Sequence, residues 1–311
     1  MKSKKRVTLI PAMVLIISLL AVPIVFAGFS DFWNKITGWA TSEQTSVSIT
    51  VGNQVPVVKY VSLITPKSVS AGTVAYISFT FNATDADGAA NLNNSAARAS
   101  FNLTGETTRT NTSCSFLAES GNTRQYNCTI GMWYWDGAGD WTINASIRDI
   151  NDAHAENSST TFELQETTAM VMSPTALTWP SINIIDTNKT SENDPIVINN
   201  TANKNITDGH VNVTAIDLQG ADILSDFIYA NNFTVDIDTG DSCSGEACLE
   251  CDGTVMVNNT ATGITGATIL KGNNSAGDGQ ESLYFCLNGM LQTISAQTYS
   301  TTLGQWTIAV E

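Results

Sequence analysis

Basic residues, histidines and long apolar runs are all scarce in this 311-residue chain. Lys plus Arg amount to 14 against 29 Asp plus Glu, a formal net charge of −15. That balance repels nucleic-acid phosphates and anionic lipid headgroups, so no nucleic-acid partner is expected. There are only two histidines, His154 and His210. A Ser–His–Asp or Cys–His centre needs a histidine beside a nucleophile, and no G-x-S-x-G, H-E-x-x-H or phosphate-loop pattern is present. The expectation is a non-enzyme without catalytic or cofactor-binding residues. A secreted enzyme is the remote alternative, through carboxylates paired by folding, though the sequence nominates no pair. Charged residues make up just 14 % of the chain, so solubility must come from uncharged polar groups. Asn, Thr and Ser supply them in every segment.

One apolar run exists, Val7 to Ala27, behind Lys2, Lys4, Lys5 and Arg6. Its basic start and small-residue end at Val25-Phe26-Ala27 read as a signal peptide over residues 1–27. The alternative is an uncleaved anchor helix, because the run is nearly long enough to span a bilayer. Both readings place the rest of the chain outside the cell or at its surface. Residues 28–52 then hold Phe29, Phe32, Trp33, Ile36 and Trp39 at helical spacing, followed by a polar linker. The aromatics either pack on the protein or a neighbouring subunit, or rest on a membrane beside a retained anchor.

Beyond the linker the hydrophobic period is two, with turn residues between the runs, which predicts strands. The runs include VSITV, VVKYVSLI, TVAYISFTFNAT, ARASFNLT, TRQYNCTIGM, DWTINASIRD and STTFELQE. They make residues 53–167 a β-sandwich. Residues 168–311 read as a second one, from ALTWPSINI, PIVINNT, HVNVTAIDL, FIYANNFTVDI, GTVMV, ATILKG, ESLYFCL and QWTIAVE. The fold class is all-β, two tandem sandwiches.

Six cysteines remain to be placed. Cys114 and Cys128 flank the Ser120-Gly121-Asn122 turn symmetrically, which faces them across a hairpin and predicts a cross-strand disulfide. Cys243, Cys248 and Cys251 have the C-x4-C-x2-C spacing of a plant-type iron–sulfur site, and the C-x-x-C within it also suits zinc or a redox dithiol. Export into an oxidising compartment favours disulfides instead. Cys243–Cys248 with Cys251–Cys286 is the preferred pairing among three connectivities.

Asn-x-Ser/Thr sequons begin at Asn82, Asn93, Asn102, Asn111, Asn127, Asn144, Asn157, Asn188, Asn199, Asn205, Asn212, Asn232, Asn258 and Asn273. That density predicts a glycoprotein. Asp85, Asp87, Asn91 and Asn93 alternate oxygen groups around Gly88, as a calcium site requires; the competing reading is an Asp/Asn-stabilised β-turn. A full calcium-binding loop of the helix–loop–helix kind would also need a ligand at Ala83 and a closing Glu, and has neither. Asp149-Ile150-Asn151-Asp152 has the same two readings. Met132-Trp133-Tyr134-Trp135 offers aromatics for a glycan platform or for core packing. Val47–Val51 either pairs within its own domain or completes a neighbour's sheet.

The order of signal, aromatic segment, Ser/Thr linker and strands with N-x-S/T, TDADG and GDWTINASIRD turns resembles the Ig-like surface glycoproteins of archaea. The resemblance implies Ig-like sandwiches and a structural or interaction role in a coat, S-layer or filament. It implies other surface subunits, copies of itself, or glycans as partners. The runner-up is an adhesin or carbohydrate-binding module.

Overall fold

A computed structural model describes residues 46–237, 251, 253–272, 279–290 and 293–311. The predicted signal or anchor segment, the aromatic stretch 28–40, Cys243, Cys248 and the Asn273 sequon lie outside the described residues. The described chain is all-β: its strands pair antiparallel, with only single 3-10 turns between them. Residues 53–311 form one compact unit that contains two separate hydrophobic cores.

The first core lies between two four-stranded sheets. One has the order β1 (Val57–Val61), β2 (Val74–Thr84), β6 (Thr123–Trp133), β5 (Ser115–Ser120). The other runs β4 (Arg109–Asn111), β3 (Arg98–Asn102), β7 (Gly139–Arg148), β8 (His154–Leu164). Alternation decides which face each strand buries. On β2, Ile77, Phe79, Phe81 and Ala83 point inward and are buried, while Ser78, Thr80 and Asn82 face outward. Opposite them, β6 buries Tyr126, Cys128, Ile130 and Met132, in register Phe81↔Tyr126 and Phe79↔Cys128. Phe79 meets Phe101 across the core and Phe162 meets it from the same sheet, with centroids 5.5 and 4.6 Å apart. Trp141 is completely buried, its indole N–H donating to Gly137 O at 2.9 Å. Gly121 opens the β5–β6 turn at φ 57°, a left-handed conformation that glycine adopts without strain. The hairpin so formed places Cys114 and Cys128 with Cα atoms 4.6 Å apart, and they are disulfide-bonded.

The second core is built from shorter pieces. Its main sheet has the order β16 (Thr254–Val255), β15 (Phe233–Ile237), β18 (Gln280–Gly289), β11 (Ile196–Asn200), β9 (Met170–Ser173). A further strand, β10 (Thr187–Thr190), also pairs with β18. Two three-stranded sheets complete it: β17 (Thr262–Gly263), β12 (Val211–Thr214) and β20 (Thr307–Val310), then β14 (Phe227–Ile228), β13 (Leu218–Gly220) and β19 (Tyr299–Ser300). Phe233, Val235, Leu283, Phe285 and Leu287 form the centre. Trp306 packs on Phe233 at 5.1 Å and donates its indole N–H to Ile216 O at 2.7 Å.

Three expected strands are absent. Val47–Val51 is in no ladder. ALTWPSINI is irregular: Pro180 interrupts it, and proline has no N–H for a ladder. Its Trp179 instead donates to Lys189 O at 3.0 Å. ATILKG keeps a single bridge, Ile206↔Ile269. Conversely, β8 starts at His154, well before the apolar STTFELQE run.

Side-chain and backbone contacts lock the two halves together. Asn203 accepts the Thr167 N–H at 2.7 Å and donates to Gln165 O at 3.0 Å. Gly72 N–H donates to Thr201 O at 2.9 Å. Lys271 Nζ meets Glu106 at 2.6 Å and Trp135 O at 3.1 Å.

Candidate functional site

The β2–β3 turn, the turn after β7 and the start of the unit converge on one polar cluster. Asp85 and Asp149 are buried, at 0 % and 1 % exposure. Asn91 Nδ2 donates to Asp85 Oδ2 at 3.0 Å and to Asn53 Oδ1 at 3.2 Å. Asn53 Nδ2 donates to Asp149 Oδ2 at 2.7 Å, and Asn151 Nδ2 donates to Asn53 Oδ1 at 2.7 Å. Asp87 is exposed and accepts the Gln54 N–H at 2.7 Å. The fold therefore unites Asp85, Asp87, Asn91, Asp149 and Asn151 around Asn53, a residue sequence reading had missed. No local motif marks Asn53, since it lies 96 residues from Asp149.

Asn93 does not join them. Its Oδ1 caps the turn Asn94–Ala96 by accepting the Ser95 N–H at 3.1 Å. Asp152 also turns away and pairs with Arg148 at 2.7 Å.

The carboxylates at this end are answered by N–H groups. Burial pushes the Asp149 carboxyl up, but donation from the Asn53 amide and the Ala153 and Asn151 N–H groups outweighs it. The net position is below the ordinary carboxylate range. A cation would have to displace those donors. Among the described residues, no group of three or more His, Cys, Asp or Glu side chains is placed to hold a metal ion. As built, the cluster clasps residues 53–54 to the end of the first core.

The aromatic run splits as strand alternation dictates. Tyr134 is buried, whereas Trp133 is 39 % exposed and stacks on Trp135 at 4.7 Å and 20°. Trp135 packs against the first core. Asp136 anchors the run: it is 1 % exposed, accepts the Trp133 N–H at 2.7 Å, and takes a bidentate ion pair from Arg109. On the same outer face, Tyr76 is 77 % exposed and its ring lies against Gly131. The two histidines are exposed loop and strand-end residues. His210 Nδ1 is within 3.1 Å of Thr207 Oγ1 and of Asp208 O.

The sequons differ in what their amides do. Asn232 is buried at 3 %, donates to Gly289 O at 2.8 Å and accepts the Tyr229 N–H at 3.1 Å. A sugar on that nitrogen would have to displace the bond to Gly289 O and leave the buried site. Asn102, Asn111, Asn144 and Asn157 also donate Nδ2 to protein acceptors. Asn82, Asn93, Asn127, Asn188, Asn199 and Asn212 are half-buried. Asn205 and Asn258 are exposed, and each has Oδ1 fixed by a backbone N–H, from Lys271 and Asp217.

In the second half, Cys251 and Cys286 are disulfide-bonded and both are buried. Nearby, Asp194 accepts the Phe285 N–H at 3.1 Å through Oδ2, but its Oδ1 is buried and unpaired. Burial pushes this carboxyl above its ordinary range, and the neighbouring Ser191 together with the Phe285 N–H offsets only part of that.

No protein-family model matches the chain, and no curated protein matches it.

Proposed function

We propose that this chain is an exported, glycosylated, non-enzymatic structural or interaction protein of a cell surface: a coat, S-layer-associated or filament subunit built from Ig-like sandwiches. The observation that carries the reading is the pair of disulfides, Cys114–Cys128 and Cys251–Cys286, one in each half. Such bonds form and persist in oxidising compartments. Sheet faces tiled with Ser, Thr and Asn, together with accessible sequon amides at Asn205 and Asn258, support the same reading. Antibody-gold labelling of native cells, viewed by electron microscopy, tests it. A regular coat or fibre carrying label is expected; label confined to the cell interior would overturn the reading.

One observation favours the adhesin reading as a second choice. The stacked Trp133–Trp135 pair and Tyr76 place flat aromatic surface beside the Ser78–Thr129 hydroxyl pair (2.7 Å) on one outer face. Sugar rings stack on such surfaces and hydrogen-bond to such hydroxyls. Loss of glycan-array binding in a folded Trp133→Ala variant would establish it, whereas a wild-type chain that binds no glycan would remove it.

A further inference from the structure

Val47–Val51 has the pattern of a sheet strand and no sheet. Its Val, Ile and Val alternate with Ser and Thr, as Ile77, Phe79 and Phe81 alternate with Ser78 and Thr80 on β2. On β2 the apolar face is buried. On the segment, Val47, Ile49 and Val51 are 79, 82 and 81 % exposed, and residues 46–52 enter no ladder.

The first core has a matching vacancy at one edge. All six residues of β5 are exposed, Phe116 at 44 % and Leu117 at 52 %, and among the described residues no strand pairs with its outer side. The other edges of the two sheets are blunted. Only three residues make up β4, while Lys67 bridges the end of β8 and Asn157 Nδ2 takes the Val58 carbonyl of β1. Proteins protect edges in these ways because an open edge templates pairing with another chain. The only charge on β5, Glu119, is answered by Arg124 at 2.8 Å.

Charge identifies the occupant. Copies of a chain at −15 repel one another, so a segment joining them works best without charge. From Gln44 to Val58 there is none. We propose that Val47–Val51 of one copy adds as a strand to the open edge of β5 in a second copy. Donor and acceptor are different surfaces, so the contact is head-to-tail and extends into a chain of copies. The inference rests on the surface-subunit reading and names the partner within it.

The test uses the full chain in detergent micelles and sedimentation velocity. Ile49→Asp disables the donor. Leu117→Pro blocks the edge, at a bulge residue that is outside the β5–β6 register. Wild type is expected to form concentration-dependent oligomers, and each variant alone to remain monomeric. An equimolar mixture should give dimers and nothing longer, because one intact donor meets one intact edge. Ile49→Ser and Leu117→Lys serve as second variants, and unchanged melting curves establish that all of them are folded. A monomeric wild type, variants that assemble like wild type, or a mixture of folded variants that stays monomeric would each overturn the proposal. These outcomes are read on purified protein, so they remain distinct from the cellular location that decides the surface reading.

Discussion

The two halves of the compact unit solve the same problem differently. In the first, β2, β6 and β8 run 11 residues and β7 runs 10, so backbone ladders satisfy most of the peptide groups. In the second, β14, β16, β17 and β19 are two residues each. Side chains there take over the work of missing ladders. Asn232 bridges Tyr229 to Gly289, Asn200 bonds to Lys204 O and the Ala202 N–H, and Asp194 stands opposite Phe285 in the gap between β10 and β11. Buried peptide groups need partners wherever they come from. Long strands obtain them from pattern, and short ones from individual residues. Single polar substitutions should therefore be felt most in the second half, except where the first half buries a charge.

That exception carries the largest expected effect. Asp136→Ala leaves Arg109 without its carboxylate and the Trp133 N–H without an acceptor. It should cost about 3–5 kcal/mol in denaturant unfolding. If the loss is instead typical of a surface pair, the ion pair does not anchor the aromatic run.

Next come the disulfides. Cys114 and Cys128 are 14 residues apart and Cys251 and Cys286 are 35 apart. Chain-entropy arguments give about 3 kcal/mol for removing the first and about 4 kcal/mol for the second. Paired Cys→Ala variants melted under identical conditions would show the order. A reversed order would mean that the longer strands of the first half depend on their clasp more than loop length implies.

Asn232→Ala should cost about 2–4 kcal/mol, since it strands one buried donor and one buried acceptor. Asn82→Ala, on the outer face of a long strand, should cost far less. Equal losses would erase the contrast between the halves.

Two carboxylates with opposite shifts, Asp149 and Asp194, sharpen it by pH. Asp149 titrates below its unfolded value, so its contribution is present above about pH 4 and disappears as pH falls through the lowered folded value. Asp149→Asn should lower the melting temperature at pH 7 and narrow the gap to wild type in acid. Asp194 titrates above its unfolded value, so its ionised form opposes folding at neutral pH and the penalty fades as pH drops. Asp194→Asn keeps an acceptor for Phe285 and should leave melting at pH 7 unchanged or raised. Thermal scans from pH 3 to 8 would show the opposite signs. Trp133→Ala should cost only about 1 kcal/mol, from its stack on Trp135.

The same difference explains what was legible in the sequence. Period-two runs located β2, β3, β6 and β7 because each buries a full alternating face. Turn chemistry located Gly121 and, through it, the Cys114–Cys128 hairpin. In the second half, the apolar ALTWPSINI and ATILKG looked like strands, yet they pack as irregular chain held by Trp179 and by one bridge. Strand β10, TNKT, carries no apolar signal; it is a strand because β18 lies beside it. The polar cluster was half visible. Local Asp/Asn spacing marked Asp85, Asp87, Asn91 and Asp149, but the same spacing also admitted Asn93, which is a turn cap. Asn53 was invisible because only the tertiary fold brings it there. The sequons were visible as a pattern, while their accessibility was not: Asn232 reads like the others and lies in the core.

The claim beneath all of this is export into an oxidising compartment. Labelling intact native cells with a membrane-impermeant amine reagent, then peptide-mapping the chain under non-reducing conditions, tests it most directly. The account predicts labelled chain with Cys114–Cys128 and Cys251–Cys286 joined. Unlabelled chain with free thiols at these four positions would contradict it.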